Sequence, residues 1–322
     1  MAIVELTNLK KYFPLSSGFF AKKTRYLRAV DDVTFAIEKG ETFGLVGESG
    51  CGKTTIGKIL LKLYEPTGGT ICFDGRDATF LKGPALAEYR KGIQAVLQSP
   101  YASLNGRMRI WRIVGEPLIV QGEKMSAVRN KVGELLELVM LPDCGERFPH
   151  EMSAGQRQQV AIARALSINP RFIVLDEPTS LLDVSAQASI LNMIVELQKR
   201  FSLTYLFISH NLQVVRFVSN RVGVMYCGKL VELANSETLY TNALHPYTNA
   251  LLSSVPDPDP ESQKQEIVLE GDVVSPIDPP PGCRFALRCN EKMAICKEKE
   301  PPLVTIGQNH LVACHLHPPA SG

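Results

Sequence analysis

The run Gly47-Glu48-Ser49-Gly50-Cys51-Gly52-Lys53-Thr54-Thr55 has the residue types and spacing that a polyphosphate needs. Its glycines let successive backbone N–H groups converge on phosphate oxygens with no Cβ in the way. A helical segment, Ile56–Leu63, follows at once and offers its free N–H groups and positive dipole end to the same charge. In such a loop Lys53 reaches the β- and γ-phosphates, and the Thr54 hydroxyl can ligate Mg²⁺. Further on, the apolar run beginning at Phe172 delivers two carboxylates, Asp176 and Glu177. Asp176 suits Mg²⁺, usually through water. Glu177 points elsewhere and suits polarisation of an attacking water. A Gly-rich turn with an incidental lysine, or a strand capped by solvated acids, is the plainer reading of each motif alone. Their occurrence together, each behind a strand, argues against both and specifies a P-loop NTPase.

The elements that must position these groups read as an α/β domain. Short apolar runs at Thr42–Val46, Ile93–Leu97, Phe172–Leu175, Tyr205–Ile208 and Val222–Met225 are bounded by Gly, Pro or charge, as buried central strands are. Between them lie amphipathic stretches, and Val184–Lys199 places Ile190, Ile194 and Leu197 on one face. This alternation predicts a parallel sheet wrapped by helices. From Gln98 to Pro170 the strand signal fades and helical periodicity takes over (Met125–Leu141, Gln156–Leu166). That predicts a helical subdomain, about residues 99–170, inserted in a sheet domain spanning residues 1–235. Residues 236–282 read as a helix and a Pro-rich connector, and residues 283–322 as a small cysteine-rich module.

Composition excludes several classes. Lys+Arg 35 against Asp+Glu 33 leaves a charge of +2, which gives no reason to expect a nucleic-acid partner. No apolar run is long enough to span a bilayer. Glu5, Lys10 and Lys11 interrupt any signal-peptide core, so the chain is expected in the cytosol and at a membrane only by docking. Glu48, Lys58 and Lys62 read as solvated surface, and Cys51, Cys72, Cys144 and Cys227 as small buried hydrophobes.

The sequence between the two phosphate motifs carries a family resemblance. Glu151-Met152-Ser153-Ala154-Gly155-Gln156 resembles the LSGGQ signature of ABC ATPases, and Asp176 to Asp183 (DEPTSLLD) their Walker B and D-loop. Ile208-Ser209-His210-Asn211 resembles their switch histidine and Leu97-Gln98-Ser99-Pro100 their Q-loop. Within that family GESGCGKTT, QSPYASLN from Gln98, HPYTNALL from His245 and the tail beginning Pro279-Pro280-Pro281-Gly282-Cys283 resemble the oligopeptide/dipeptide importer ATPases, most of all the dipeptide F-type subunit.

The resemblance implies an ATP-hydrolysing subunit of a peptide importer. It implies ATP contacts from Gly47, Ser49, Gly50, Cys51, Gly52, Lys53, Thr54 and Thr55, with Tyr12, just after the first strand, stacking on adenine and Phe13 its neighbouring rival. An insertion around Ser16–Arg25 stretches the spacing from Tyr12 to Gly47. Mg²⁺ falls to Thr54, Gln98 and Asp176, and catalysis to Glu177, His210 and Gln98. Ser153, Gly155 and Gln156 are implied to act in trans on the nucleotide of a second, non-identical ATPase subunit, with Asp183 in the D-loop. Two membrane permease subunits and an extracytoplasmic binding protein complete the implied assembly, at the cytoplasmic face of the cell membrane. Nickel chelates and oligosaccharides are alternative cargoes of the branch. Trp111 reads equally as core or as part of the surface that receives a permease helix. Met152, Ala154, Gly106 and Leu181 depart from the usual residues; intact Glu177 argues against a mainly regulatory subunit, while Ala154 and Leu181 leave it as another reading. A soluble ABC ATPase acting on DNA or ribosomes is the reading from another class; it lacks support from any second cassette or long arm.

Four of the eight cysteines, Cys283, Cys289, Cys296 and Cys314, fall in the last 40 residues. Their spacing matches neither a ferredoxin run nor a zinc ribbon and favours only four thiolates at one site. Resemblance to the peptide-importer branch favours a [4Fe–4S] cluster; Zn²⁺ is the alternative, with His310, His315 and His317 as substitute ligands.

Overall fold

The computed structural model describes residues 1–15, 25–99, 103–255, 267–271, 274–307 and 309–318. Most of the expected insertion after the first strand, Pro100 to Ala102 of the Gln98 motif and much of the Pro-rich connector lie outside the described residues. In chain order the strands are β1 (Ala2–Leu15), β2 (Arg25–Glu38), β3 (Thr42–Val46), β4 (Gly68–Phe73), β5 (Arg76–Asp77), β6 (Ile93–Val96), β7 (Phe172–Asp176), β8 (Thr204–Ile208), β9 (Arg221–Tyr226), β10 (Lys229–Asn235), β11 (Val304–Ile306) and β12 (His310–Val312). The α-helices are α1 (Lys53–Leu60), α2 (Gly83–Gly92), α3 (Ile110–Val120), α4 (Met125–Leu138), α5 (Ala154–Leu166), α6 (Val184–Phe201), α7 (Leu212–Val218), α8 (Ser236–Thr241) and α9 (Pro246–Ser253). Among the described residues no helix is long and apolar enough to cross a membrane.

The chain divides into two compact units, one of Met1, residues 38–41 and 80–207, the other of residues 2–37, 42–79 and 208–322. In the first, strands follow the order β8-β7-β6, with β6 parallel to β7 in the register Ile93↔Phe172 to Val96↔Leu175. Every residue of β7 and β8 is buried, which is why both read in sequence as unbroken apolar runs. Helices α3, α4 and α5 pack on one another in this unit. Gly115 of α3 makes their approach possible: a Cβ there would lie 2.6 Å from Val128 of α4.

The second unit holds two sets of strands. One is antiparallel, in the order β2-β1-β4-β5, with Val4↔Phe73 and Leu6↔Ile71 in register. The other runs β11-β12-β10-β9-β3; β3 is parallel to β9, from Phe43↔Arg221 to Val46↔Val224, and the β9, β10, β12 and β11 edge is antiparallel. The parallel core was expected; the antiparallel strands β1, β2 and β4 were not resolved in sequence, because charged and apolar residues mix along them. Tyr12 lies within β1 rather than after it. Cys72, in β4, is only half-buried rather than a core residue.

The tail does not form a compact unit of its own, contrary to the expected cysteine-rich module. It lies in the second unit, where β12 pairs with β10 (Glu232↔Val312, Leu233↔Leu311). Phe285 is buried against Tyr226 and Tyr247, with ring centroids 5.2 and 5.4 Å away. The tail has few apolar residues, so it completes a shared core instead of building one.

Candidate nucleotide site

In the second unit the loop between β3 and α1 is wedged tightly in place. Gly47, Gly50 and Gly52 have φ of 144°, 80° and 110°, which L side chains rarely adopt. A Cβ on Gly47 would lie 2.1 Å from the Met225 carbonyl oxygen, and one on Gly52 2.2 Å from that of Ala29. The Gly228 N–H donates to the Cys51 carbonyl at 2.9 Å, tying the β9–β10 turn to the loop. Lys53 opens α1 with a buried side chain; its ammonium donates to the carbonyls of Gly47 at 2.7 Å and Glu48 at 3.0 Å. Ser49 and Thr54 are exposed and Thr55 is half-buried at the start of the helix. Burial pushes the Cys51 thiol up, against the pull of Lys53 beside it.

Tyr12 is half-buried, its hydroxyl hydrogen-bonded to Asp31, with the Arg28 guanidinium 5.6 Å from its ring centre. Phe13 points its ring edge-on to Tyr64 at 5.3 Å instead. His210 is exposed directly after β8, next to Asn211, which caps α7 by accepting from the N–H groups of Gln213 and Val214.

In the first unit Asp176 ends β7 with its side chain buried, and Glu177 turns the chain with φ 49°. Since Val96 stands beside Leu175 in parallel register, the residue two beyond each lies side by side. Gln98 accordingly donates its side-chain amide to the Glu177 carboxylate at 2.9 Å. Ser153 caps α5 in a reciprocal capping box: its hydroxyl accepts from the Gln156 N–H at 3.2 Å, and the Gln156 side-chain oxygen accepts from the Ser153 N–H at 3.0 Å. A Cβ on Gly155 would meet Ala186 at 3.3 Å. Asp183 caps α6 by accepting from the Ala186 N–H at 2.9 Å. These capping duties were legible as Ser-x-x-Gln and as Asp before an apolar run, and sequence reasoning passed over them. Trp111 is half-buried beneath the Arg129 guanidinium, 3.8 Å from its ring centre.

Two surface assignments change. Lys62 is half-buried and donates to the Thr79 carbonyl at 3.3 Å; burial lowers its pKa to about 8, with Asp77 opposing. Glu48 is held by the Arg288 guanidinium, whose Nη1 donates to its two carboxylate oxygens at 3.0 and 2.9 Å.

All eight cysteines are free thiols. Among the described residues no three His, Cys, Asp or Glu side chains gather to hold a metal ion. The histidines offered as zinc ligands are engaged elsewhere: His310 with the Glu232 carboxylate at 2.7 Å, His315 with the Lys299 carbonyl at 2.8 Å and His317 with the Leu244 carbonyl at 3.2 Å. Burial raises the Cys283 thiol to about 11, and Cys296, Cys314 and Cys289 add to the shift.

The ABC transporter family matches residues 30–180, across the phosphate loop and Asp176–Glu177, and the oligopeptide/dipeptide transporter C-terminal region matches residues 231–296. The oligopeptide transport ATP-binding protein AppF of Bacillus subtilis is 51% identical over 320 residues, covering 98% of this chain and 97% of that protein. The chain belongs to the ATP-binding subunits of the oligopeptide/dipeptide ABC transporters. As a member it is an ABC-type ATPase. The putative oligopeptide transport ATP-binding protein YkfD of the same organism is 48% identical over 322 residues, with 98% of this chain and 96% of that protein covered. Among solved structures, the ATP-binding cassette MJ0796, in a dimeric post-hydrolysis state bound to ADP and Pi, matches with TM-score 0.64 at 27% identity, over 72% of this chain and 98% of that one. The fold is also that of cbiO1 from Clostridium perfringens, with TM-score 0.66 at 24% identity, over 75% of this chain and 91% of that one.

Proposed function

We propose that this subunit hydrolyses MgATP by in-line attack of water to power uptake of oligopeptides or dipeptides. The observation that carries the mechanism is the Gln98 amide held on the Glu177 carboxylate beside buried Asp176. Glu177 polarises the water, and Gln98 orients Glu177 and senses the permease. Lys53 and His210 meet charge developing on the γ-phosphate, and Tyr12 stacks on adenine. Thr54, Gln98 and Asp176 would hold Mg²⁺, which supplies charge neutralisation on the phosphates.

The assembly supports the same reading. Ser153, Gly155, Gln156 and Asp183 serve the nucleotide of a second ATPase subunit, for which the dimeric MJ0796 structure is the support. Two permease subunits and an extracytoplasmic binding protein complete the importer, with this chain peripheral on the cytoplasmic face of the membrane. We divide the chain functionally into a nucleotide-binding domain (1–235) with helical subdomain (99–170), a connector (236–282) and a tail (283–322). ATPase activity of the assembled transporter, with the Glu177 of this subunit and the matching glutamate of its partner changed to Gln in turn, tests the reading. Loss of turnover on changing Glu177 supports a working ATPase; unchanged turnover there assigns the subunit a regulatory role.

A second reading, that the four tail thiols hold a [4Fe–4S] cluster or Zn²⁺, is supported only by their clustering in sequence and their mutual upward push on the Cys283 thiol. Metal analysis of anaerobically purified protein decides it.

A further inference from the structure

The tail segment from Cys283 to Cys289 sends two arginines, four residues apart, to the two halves of the nucleotide site. Arg288 is largely buried and spans both carboxylate oxygens of Glu48, the second residue of the phosphate loop. The Glu48 N–H meanwhile donates to the Tyr247 hydroxyl at 2.9 Å, and Tyr247 packs on Phe285 of the same segment. Arg284 is buried; one nitrogen pairs with Asp31, whose other oxygen accepts the Tyr12 hydroxyl. Its other nitrogen donates to the Cys227 carbonyl in the turn whose next residue, Gly228, holds the Cys51 carbonyl at 2.9 Å and accepts from the Asp31 N–H at 2.9 Å. The segment is itself pinned: the Cys283 N–H donates to the Cys296 carbonyl at 2.8 Å. Gly282 has φ 90°, and a Cβ there would lie 2.4 Å from that same oxygen.

Charge supplies the reason for such contacts. A loop that gathers N–H groups for phosphates is a poor place for a carboxylate, because Glu48 repels the same anion the loop attracts. Arg288 cancels that charge and fixes the backbone that carries it. Asp31 is similarly matched by Arg284, which leaves its other oxygen to orient Tyr12. Neither arginine belongs to a nucleotide motif, and both lie far along the chain from what they hold.

We propose that Cys283–Cys289 is a positioning strap for ATP: Arg288 holds the phosphate loop through Glu48, and Arg284 holds the adenine platform through Asp31 and Tyr12. This rests on the reading that Gly47–Thr55 binds the triphosphate and Tyr12 the base. The two arms differ in what they affect, and that makes them separable.

The test is equilibrium binding of MgATP and of magnesium tripolyphosphate, which lacks a base, to the purified full chain, with thermal unfolding recorded for each variant. Arg288→Met is expected to weaken both ligands about tenfold, the scale of losing a group that orients a first-contact residue. Glu48→Gln added to Arg288→Met removes the uncancelled charge and is expected to restore affinity to within about twofold of wild type. Arg284→Lys, which keeps the buried charge paired, is expected to weaken MgATP several-fold more than tripolyphosphate, which feels only the link through Cys227 and Gly228 to the loop. Wild-type affinity in a folded Arg288→Met protein, or no rescue by Glu48→Gln, overturns the Arg288 arm. Equal loss of both ligands in Arg284→Lys overturns the adenine arm. Wild-type protein that binds neither ligand is a different result: it refutes the ATP-site reading itself.

Discussion

Gln98 and Glu177 stand side by side because β6 and β7 run parallel in register, and their side chains meet at 2.9 Å. The glutamine donates to the carboxylate and so fixes which oxygen remains for water. Replacing Glu177 by Gln keeps the volume and removes the proposed base. ATP binding should persist while turnover in the assembled transporter falls by about 10²–10⁴-fold. Single-turnover hydrolysis beside a nucleotide-binding assay checks both halves, and turnover at the wild-type rate would remove Glu177 from the mechanism.

Lys53→Ala should act differently. The ammonium is buried and donates to two carbonyls of its own loop, so its loss removes both charge from the proposed phosphate site and a brace from the loop. MgATP binding should vanish along with turnover. Retention of ATP affinity near wild type would show that the loop does not hold the phosphates.

The glycines of the loop are not equivalent. Gly50 needs a left-handed backbone but meets no protein atom within 4 Å, so Gly50→Ala should cost the unliganded chain about 1–2 kcal/mol of strain. Gly52 combines φ 110° with the Ala29 backbone oxygen 2.2 Å from the new Cβ, a clash that no side-chain movement relieves, although the Met225 methyl at 3.2 Å could give way. Gly52→Ala should displace the loop and abolish nucleotide binding. Chemical denaturation of the two variants without nucleotide tests the contrast; equal losses of stability would contradict the wedged geometry.

The contrast also shows what a sequence discloses. β3, β7 and β8 were legible because every residue in them is buried, which leaves an uninterrupted apolar run. The long β1 and β2 were not, since Lys10, Lys11 and Arg28 lie among their apolar residues. The phosphate loop and the carboxylates at the end of β7 declare themselves by local spacing. Glu48 did not: its partner Arg288 lies 240 residues away, and an ion pair between distant segments leaves no period to read. The tail cysteines pose a related problem, because clustering in sequence does not fix where thiols point; the nearby histidines serve Glu232 and two carbonyls.

Ser153 has a structural duty and a proposed catalytic one, and substitution can separate them. Ser153→Ala removes the cap of α5 and should cost about 1 kcal/mol. Ser153→Asp keeps a good cap, so stability should stay near wild type. It also sets a carboxylate where the partner's γ-phosphate is proposed to sit, so hydrolysis by the assembled pair should collapse. Full activity in a stable Ser153→Asp transporter would leave the serine a helix cap and nothing more.

His245 makes stability depend on acid. Burial lowers its pKa to about 4, the Glu232 charge opposing and His317 assisting, and its Nδ1 accepts the Tyr247 N–H at 3.0 Å as the cap of α9. A protonated ring cannot accept that bond. Between about pH 6.5 and pH 4 the unfolded chain carries a proton on this residue and the folded chain does not. The unfolded state binds more protons in that window, so stability rises with pH across it and falls on acidification, by about 3 kcal/mol over the full range. Carboxylates held below their usual range, such as Asp31 and Glu232, begin to lose their contribution near their ordinary values of 3.8 and 4.5, so they add to the slope only at the acid end of the window, and equally in wild type and variant. His245→Asn replaces the cap with a residue that does not titrate. Unfolding free energies measured from pH 7 to pH 4 should slope upward with pH in wild type and lie flatter in the variant. Parallel profiles for the two proteins would show that His245 is not the group responsible.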